Sequence, residues 1–178
     1  MARHPTIRSA PVWDRFVRLF HWSLVTGIVL NYAVLDDGET LHQWTGYAVL
    51  ALVGARVVWG FVGSRHARFA DFVPTPRRLR EHLRGLASGQ HGAHPGHNPL
   101  GALMILALLG LVLAVGTTGW MQTLDAFWGE EWLQDLHATL ATTLVSFAGL
   151  HAVAALVMGR VERTRLVKAM FTGTKEWW

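Results

Sequence analysis

The sequence contains no cysteine. That excludes disulfides, iron–sulfur clusters, thiolate ligation of a haem iron and the C-x-x-C-H attachment of c-type haem. Any haem bound by this chain is held without a covalent bond. Charge is scarce as well: 16% of residues are Asp, Glu, Lys or Arg, against about 25% in soluble domains. None of the six prolines falls within the four longest apolar runs, so nothing in them interrupts a helix. The N-terminus lacks the short apolar core and small-residue cleavage site of a signal peptide. Its first apolar run begins near Leu19 and continues into a membrane-length segment, so the N-terminus is expected to be uncleaved.

What is present is hydrophobic length. The four runs cover about 19–35, 41–62, 100–121 and 136–158. They approach or reach the roughly 20 residues that cross a bilayer as helix. The first is at the short end, and its flanking Trp and Tyr extend it. The expected fold is all-α: a transmembrane four-helix bundle forming one membrane domain over 1–178. Many of the nine tryptophans fall at the edges of apolar runs, as interfacial belts require.

Charge placement orients the spans. The N-terminal tail carries Arg3, Arg8, Arg15 and Arg18. The connection at 63–99 carries Arg65, Arg68, Arg77, Arg78, Arg80 and Arg84. The C-terminal tail carries Arg160, Arg163, Arg165, Lys168 and Lys175. The other two connections hold Asp36, Asp37, Glu39, Asp125, Glu130, Glu131 and Asp135, without Lys or Arg. Only Arg56 among the cations lies inside a span. The positive-inside rule then places both termini and the 63–99 connection in the cytoplasm, as for a multi-pass membrane protein. The same distribution accounts for the net charge of +4 without nucleic acid as a partner. Within the long connection, 77–86 puts Leu79, Leu83 and Leu86 on one helical face with arginines opposite, suited to anionic lipid headgroups. On the acidic side, Leu124, Phe127, Trp128 and Trp132 suggest a shallow interfacial segment.

Four of the ten histidines lie within or at the ends of the spans: His21, His42, His137 and His151. The last two are fourteen residues apart on one helix, about 1400° or four turns less some 40°, and about 21 Å along the axis. They project from nearly one face, one near each membrane surface. Topology pairs them by depth, His42 with His137 at the outer level and His21 with His151 at the inner. A lone histidine in an apolar helix is usually a hydrogen-bonded packing residue. Four matched in depth and face are not well explained that way, because ionisable groups within a bilayer are costly and mark function. Two axial imidazoles fill both open positions of a haem iron and suit it to passing single electrons. A bare zinc or copper site would need three or four ligands at one depth, where this chain offers two.

Other residues fit around such cofactors. Gly27, Gly46, Gly54, Gly110, Gly116 and Gly149 lie in the spans and admit either a flat macrocycle or close helix packing. Arg56 follows His42 by fourteen residues and could pair with a haem propionate, or snorkel to the cytoplasm. His66, Arg65 and Arg18 could serve the same propionates. His91, His94 and His97 sit in a Gly-rich run that reads as a polar loop rather than a metal site. Asn98 and Pro99 read as N-cap and first residue of the third span. They leave His97 at the cytoplasmic interface, where a quinone headgroup could dock.

The chain resembles the bacterial cytochrome b561 superfamily, which includes the haem-b membrane subunits of nickel–iron hydrogenases and formate dehydrogenases. The matching pieces are Arg18-Leu19-Phe20-His21-Trp22, His42-Gln43-Trp44-Thr45-Gly46-Tyr47, Arg56-Val57-Val58-Trp59-Gly60-Phe61-Val62-Gly63-Ser64, Ala67-Arg68-Phe69, Gly96-His97-Asn98-Pro99-Leu100-Gly101-Ala102, and His137-Ala138-Thr139-Leu140 with His151 fourteen later. The resemblance covers most of the chain, about 12–172. The resemblance implies two haem b groups with the same histidine pairing, and electron exchange between the quinone pool and a partner protein. The acidic outer loops favour a basic partner such as a soluble c-type cytochrome. Two alternatives come with the resemblance: a superoxide:quinone oxidoreductase, and a cytochrome b subunit of a hydrogenase-like complex. The first fits less well, because a negative outer mouth repels an anionic substrate.

Overall fold

The computed structural model describes residues 8–88 and 98–177. Its elements, in chain order, are β1 (Arg8–Pro11), α1 (Arg15–Ala33), α2 (Thr40–Val62), α3 (Phe69–Phe72), α4 (Pro76–Ala87), α5 (Pro99–Met121), α6 (Glu131–Val161), α7 (Leu166–Thr172) and β2 (Thr174–Trp177). Three of them, α2, α5 and α6, are long and apolar enough to cross a membrane. α1 differs because Arg15 and Arg18 occupy its first turn. Its 19 residues still measure about 28 Å, close to the roughly 30 Å of a hydrocarbon core.

Local chemistry explains the boundaries. The Asn98 side-chain oxygen accepts from the Gly101 amide at 2.7 Å and its carbonyl accepts from the Ala102 amide at 2.9 Å, so Asn98 caps α5 and Pro99 opens it. α6 begins several residues before the apolar pattern does. Gly129 turns the chain at φ +79° and Glu131 stands in the first turn, where a carboxylate favours the helix N-terminus. The amphipathic stretch at 77–86 is helical, as α4.

The chain divides into two units. One comprises Leu19–Val58 and Ile105–Gly149. Its buried side chains include Phe20, Val49, Val53, Leu109, Val112, Leu133 and Leu144. Small residues set its helix spacing: a Cβ on Gly27 would stand 2.6 Å from Val49 Cγ2, and one on Gly116 would collide with Leu50. A Cβ on Gly54, Gly110 or Gly149 would meet nothing within 4 Å. Tyr47 Oη and Thr123 Oγ1, 3.3 Å apart, join α2 to the segment after α5.

The other unit comprises Met1–Arg18, Trp59–Met104 and Leu150–Trp178. Asp14 organises it. Its Oδ1 accepts from the Val17 amide at 2.8 Å, capping α1, and its Oδ2 accepts from Trp59 Nε1 at 3.0 Å and from Ser64 Oγ. Gly60 leaves room for the Phe69 ring, which a Cβ would strike. The two ends of the chain pair as an antiparallel two-stranded sheet, Arg8 opposite Trp177 and Pro11 opposite Thr174, an addition to the all-α expectation. Gly173 makes the junction possible. It ends α7 at φ +85°, its carbonyl accepts from the Val12 and Trp13 amides, and a Cβ there would lie 2.7 Å from the Trp13 carbonyl. Lys175 and Glu162 are an ion pair at 3.5 Å with side chains 3% and 4% exposed. Asn98 Nδ2 donates to the other Glu162 oxygen at 2.8 Å. Burial pushes the Lys175 ammonium below the usual lysine range, against the pull of Glu162.

Apolar side chains face outward along the long helices. Leu103, Leu113, Phe147, Leu150, Val153, Leu156 and Val157 are all exposed. A lipid-facing surface carries such residues without cost, whereas a water-facing one rarely does.

Candidate functional site

His42 sits in the first turn of α2 and His137 in the second turn of α6, both half-buried and both in the unit built from Leu19–Val58 and Ile105–Gly149. Their ring centroids are 6.4 Å apart and their planes are inclined by 68°. An iron bonded to one nitrogen of each ring at about 2 Å, with about 1.2 Å from nitrogen to ring centre, needs about 6.4 Å between centroids. The separation fits a six-coordinate iron between two imidazoles. It also lies within the range of an edge-to-face ring pair, so the fit and not the absence of contact is the informative feature.

α5 is the element that sets this spacing. On one side it packs Gly116 under Leu50 of α2. On the other, Thr118 Oγ1 lies 3.0 Å from His137 Nδ1. The neighbouring Gly119 provides the slot for the imidazole, since a Cβ there would stand 3.0 Å from His137 Cε1. His42 Nδ1 has a looser neighbour, Asp37 Oδ1 at 3.9 Å, beyond hydrogen-bond reach. Thr118 and Gly119 were not legible as site residues in the sequence. The only hint is the small and polar run Gly116-Thr117-Thr118-Gly119 closing an otherwise apolar helix.

The other expected site residues are placed as follows. His21 is half-buried on α1, its ring edge-on to Trp22 at 5.0 Å. His151 is half-buried on α6. His21 and His151 belong to different units. Arg56 is buried on α2, 4% exposed. His97, with His91 and His94, lies outside the described residues. Three side chains considered for propionates have other partners: Arg18 Nη1 donates to the Phe171 carbonyl, and Arg65 and His66 face Asp71 at 3.8 and 3.5 Å. Among the described residues no group of three or more His, Asp or Glu converges as a metal site. What the site offers is a pair, which is the donor set a porphyrin-bound iron needs and a bare metal ion does not accept.

Neither the comparison with curated proteins nor that with solved structures gives a match. The family model described as prokaryotic cytochrome b561 matches residues 12–173, nearly the whole chain, and the protein therefore belongs to that family of membrane proteins, which transfer electrons through haem b.

Proposed function

We propose that this protein carries electrons across the bacterial inner membrane through two bis-histidine b haems, between the quinone pool and a periplasmic redox protein such as a soluble c-type cytochrome. The observation that carries the reading is the 6.4 Å separation of the His42 and His137 rings. The second pair, His21 with His151, rests on sequence spacing, since His151 follows His137 by fourteen residues on the same helical face. α1 serves as the fourth span, and both termini and the 63–99 connection lie in the cytoplasm, as the arginine distribution favours.

The bound haem supplies one chemistry, reversible one-electron exchange at an iron with no vacant position. The chain does the rest. His42 and His137 hold the outer cofactor, and His21 and His151 the inner one. Arg56 supplies a desolvated positive charge fourteen residues beyond His42, suited to a propionate. His97 is the candidate for the quinone headgroup. On the outer side Asp37 is fully exposed, and Asp36, Glu39, Glu130 and Glu131 are exposed with it. Such a surface steers a basic partner and repels superoxide. On the cytoplasmic side α4 lies against anionic lipid through Leu79 and Leu83, with Arg78 and Arg80 flanking that face.

The test begins with haem stoichiometry in the purified protein. A pyridine haemochrome value of two haems per chain and a b-type reduced-minus-oxidised spectrum are expected. One haem per chain removes the inner site. Stopped-flow mixing separates the partners: fast electron exchange with a basic c-type cytochrome is expected, whereas haem reduction by superoxide at near-diffusional rates would replace this reading with a superoxide:quinone oxidoreductase.

A further inference from the structure

We infer that Thr118 fixes the tautomer of His137 and thereby lowers the reduction potential of the outer haem; this rests on the assignment of His42 and His137 as axial ligands. Thr118 is buried, 7% exposed, near the end of α5. Its Oγ1 has three polar neighbours: the Ala114 carbonyl at 2.9 Å, the Val115 carbonyl at 3.0 Å, and His137 Nδ1 at 3.0 Å. A hydroxyl has one proton and two lone pairs. Both carbonyls are acceptors only, so the proton lies between them in the backbone-directed bond common for helical threonine. Were it turned to the imidazole, both carbonyl oxygens would face hydroxyl lone pairs at hydrogen-bond distance. The hydroxyl therefore accepts from His137, and Nδ1 carries hydrogen.

Two consequences follow for the ring. With hydrogen on Nδ1, the lone pair of a neutral imidazole is on Nε2, which becomes the ligating atom. A hydrogen bond donated from the far nitrogen also makes the ligand more basic, which stabilises ferric over ferrous iron. The restraint is one-sided. His42 Nδ1 has no hydrogen-bond partner among the described residues, its neighbour Asp37 being 3.9 Å away. The tautomer and basicity of this pair are accordingly set at His137, from α5, and not at His42.

The experiment compares Thr118→Val, which keeps the shape and removes the acceptor, with Thr118→Ser, which keeps the hydroxyl. Each purified protein is assayed for haem content and for the midpoint potentials of both haems by spectroelectrochemical titration. His42→Ala identifies which potential belongs to the outer haem. In Thr118→Val the outer potential is expected to rise, by up to about tenfold in the reduction equilibrium, which is 59 mV for one electron. The inner potential stays put and reports an intact fold. Thr118→Ser should match the parent. Loss of the outer haem in the valine variant alone also supports the inference, since an unfixed tautomer misplaces the ligating nitrogen. Unchanged potentials in Thr118→Val, or equal effects of Val and Ser, overturn it. A parent protein with no haem, or a His137→Ala variant retaining both, would instead overturn the ligand assignment.

Discussion

Gly119 offers the sharpest test of the outer site, because its replacement opposes stability and function. A Cβ there would stand 3.0 Å from His137 Cε1, 3.5 Å from Nδ1 and 3.9 Å from Nε2. Ordinary van der Waals contact begins near 3.4 Å, so in Gly119→Ala the ring has to retreat by about 0.4 Å, the difference between 3.0 and 3.4. Metal–ligand distances tolerate about 0.2 Å. The displacement also strains the bond to Thr118. Perturbing such support around a ligand weakens cofactor affinity by about 10–100-fold. Helix propensity pushes the other way, since alanine within a helix is favoured over glycine by about 1 kcal/mol. The expected variant is therefore folded and no less heat-stable, with the inner haem intact and the outer haem depleted or spectrally altered. Pyridine haemochrome, the reduced-minus-oxidised spectrum and a thermal melt on the same sample read all three properties. Two haems with unchanged spectra and potentials would refute the packing of this glycine against a ligand.

His42→Ala should remove one haem and leave the other, and His21→Ala should remove the opposite one. Loss of both from either variant, in a chain that still folds, would break the pairing by depth. Glu162→Gln should leave Lys175 buried without a counter-charge and cost about 3–5 kcal/mol, read as a fall in the thermal midpoint. Lys175→Met leaves the equally buried Glu162 carboxylate without its counter-charge and should also lower the midpoint, whereas the double variant Glu162→Gln/Lys175→Met, with neither charge left, should lose less than the two single losses summed; simple additivity would contradict the pairing. Electron exchange with a basic c-type cytochrome should slow as salt rises, because the Debye length falls from about 30 Å at 0.01 M to about 10 Å at 0.1 M. Replacing Asp36, Asp37 and Glu39 with their amides should flatten that dependence, and a rate indifferent to salt would count against the acidic face as the docking surface.

The parts of the fold visible in the sequence are those with a local cause. Hydrophobic length marks α2, α5 and α6. Asn98-Pro99 marks the start of α5 to the residue, because the cap bonds only to its own next turn. The leucine spacing in α4 is equally local. What escaped depends on distant parts of the chain. β1 and β2 are four residues each, join opposite ends of the sequence, and carry no alternation long enough to recognise. The early start of α6 was hidden because Glu131, Gln134 and Asp135 interrupt the apolar run around Trp132 and Leu133, while the helix there is set by Gly129 and charge at the first turn. Within the site, His42 and His137 stood out by chemistry, an ionisable group in an apolar run. Thr118 and Gly119 did not, since a threonine and a glycine near a helix end have many ordinary uses. Only the approach of α5 to α6 gives them one.

The residues that carried the family resemblance divide by what they do. The histidines are the residues proposed above to hold the cofactors. Most of the rest is explained by packing in the unit that joins the chain ends. Trp59 and Ser64 bracket the run Trp59-Gly60-Phe61-Val62-Gly63-Ser64, and both donate to one carboxylate oxygen of Asp14, which also caps α1. Gly60 in the middle of that run admits Phe69, the last residue of Ala67-Arg68-Phe69. Asn98, from Gly96-His97-Asn98-Pro99, caps α5 and holds Glu162, which in turn holds Lys175 in β2. Hydrogen bonds to a charged group are worth about 1.5–3 kcal/mol each, enough to fix where one helix ends against another. Within the other unit it is the close approach of α5, at Gly116 against Leu50 of α2 and at Gly119 against His137 of α6, that holds the two imidazole rings 6.4 Å apart.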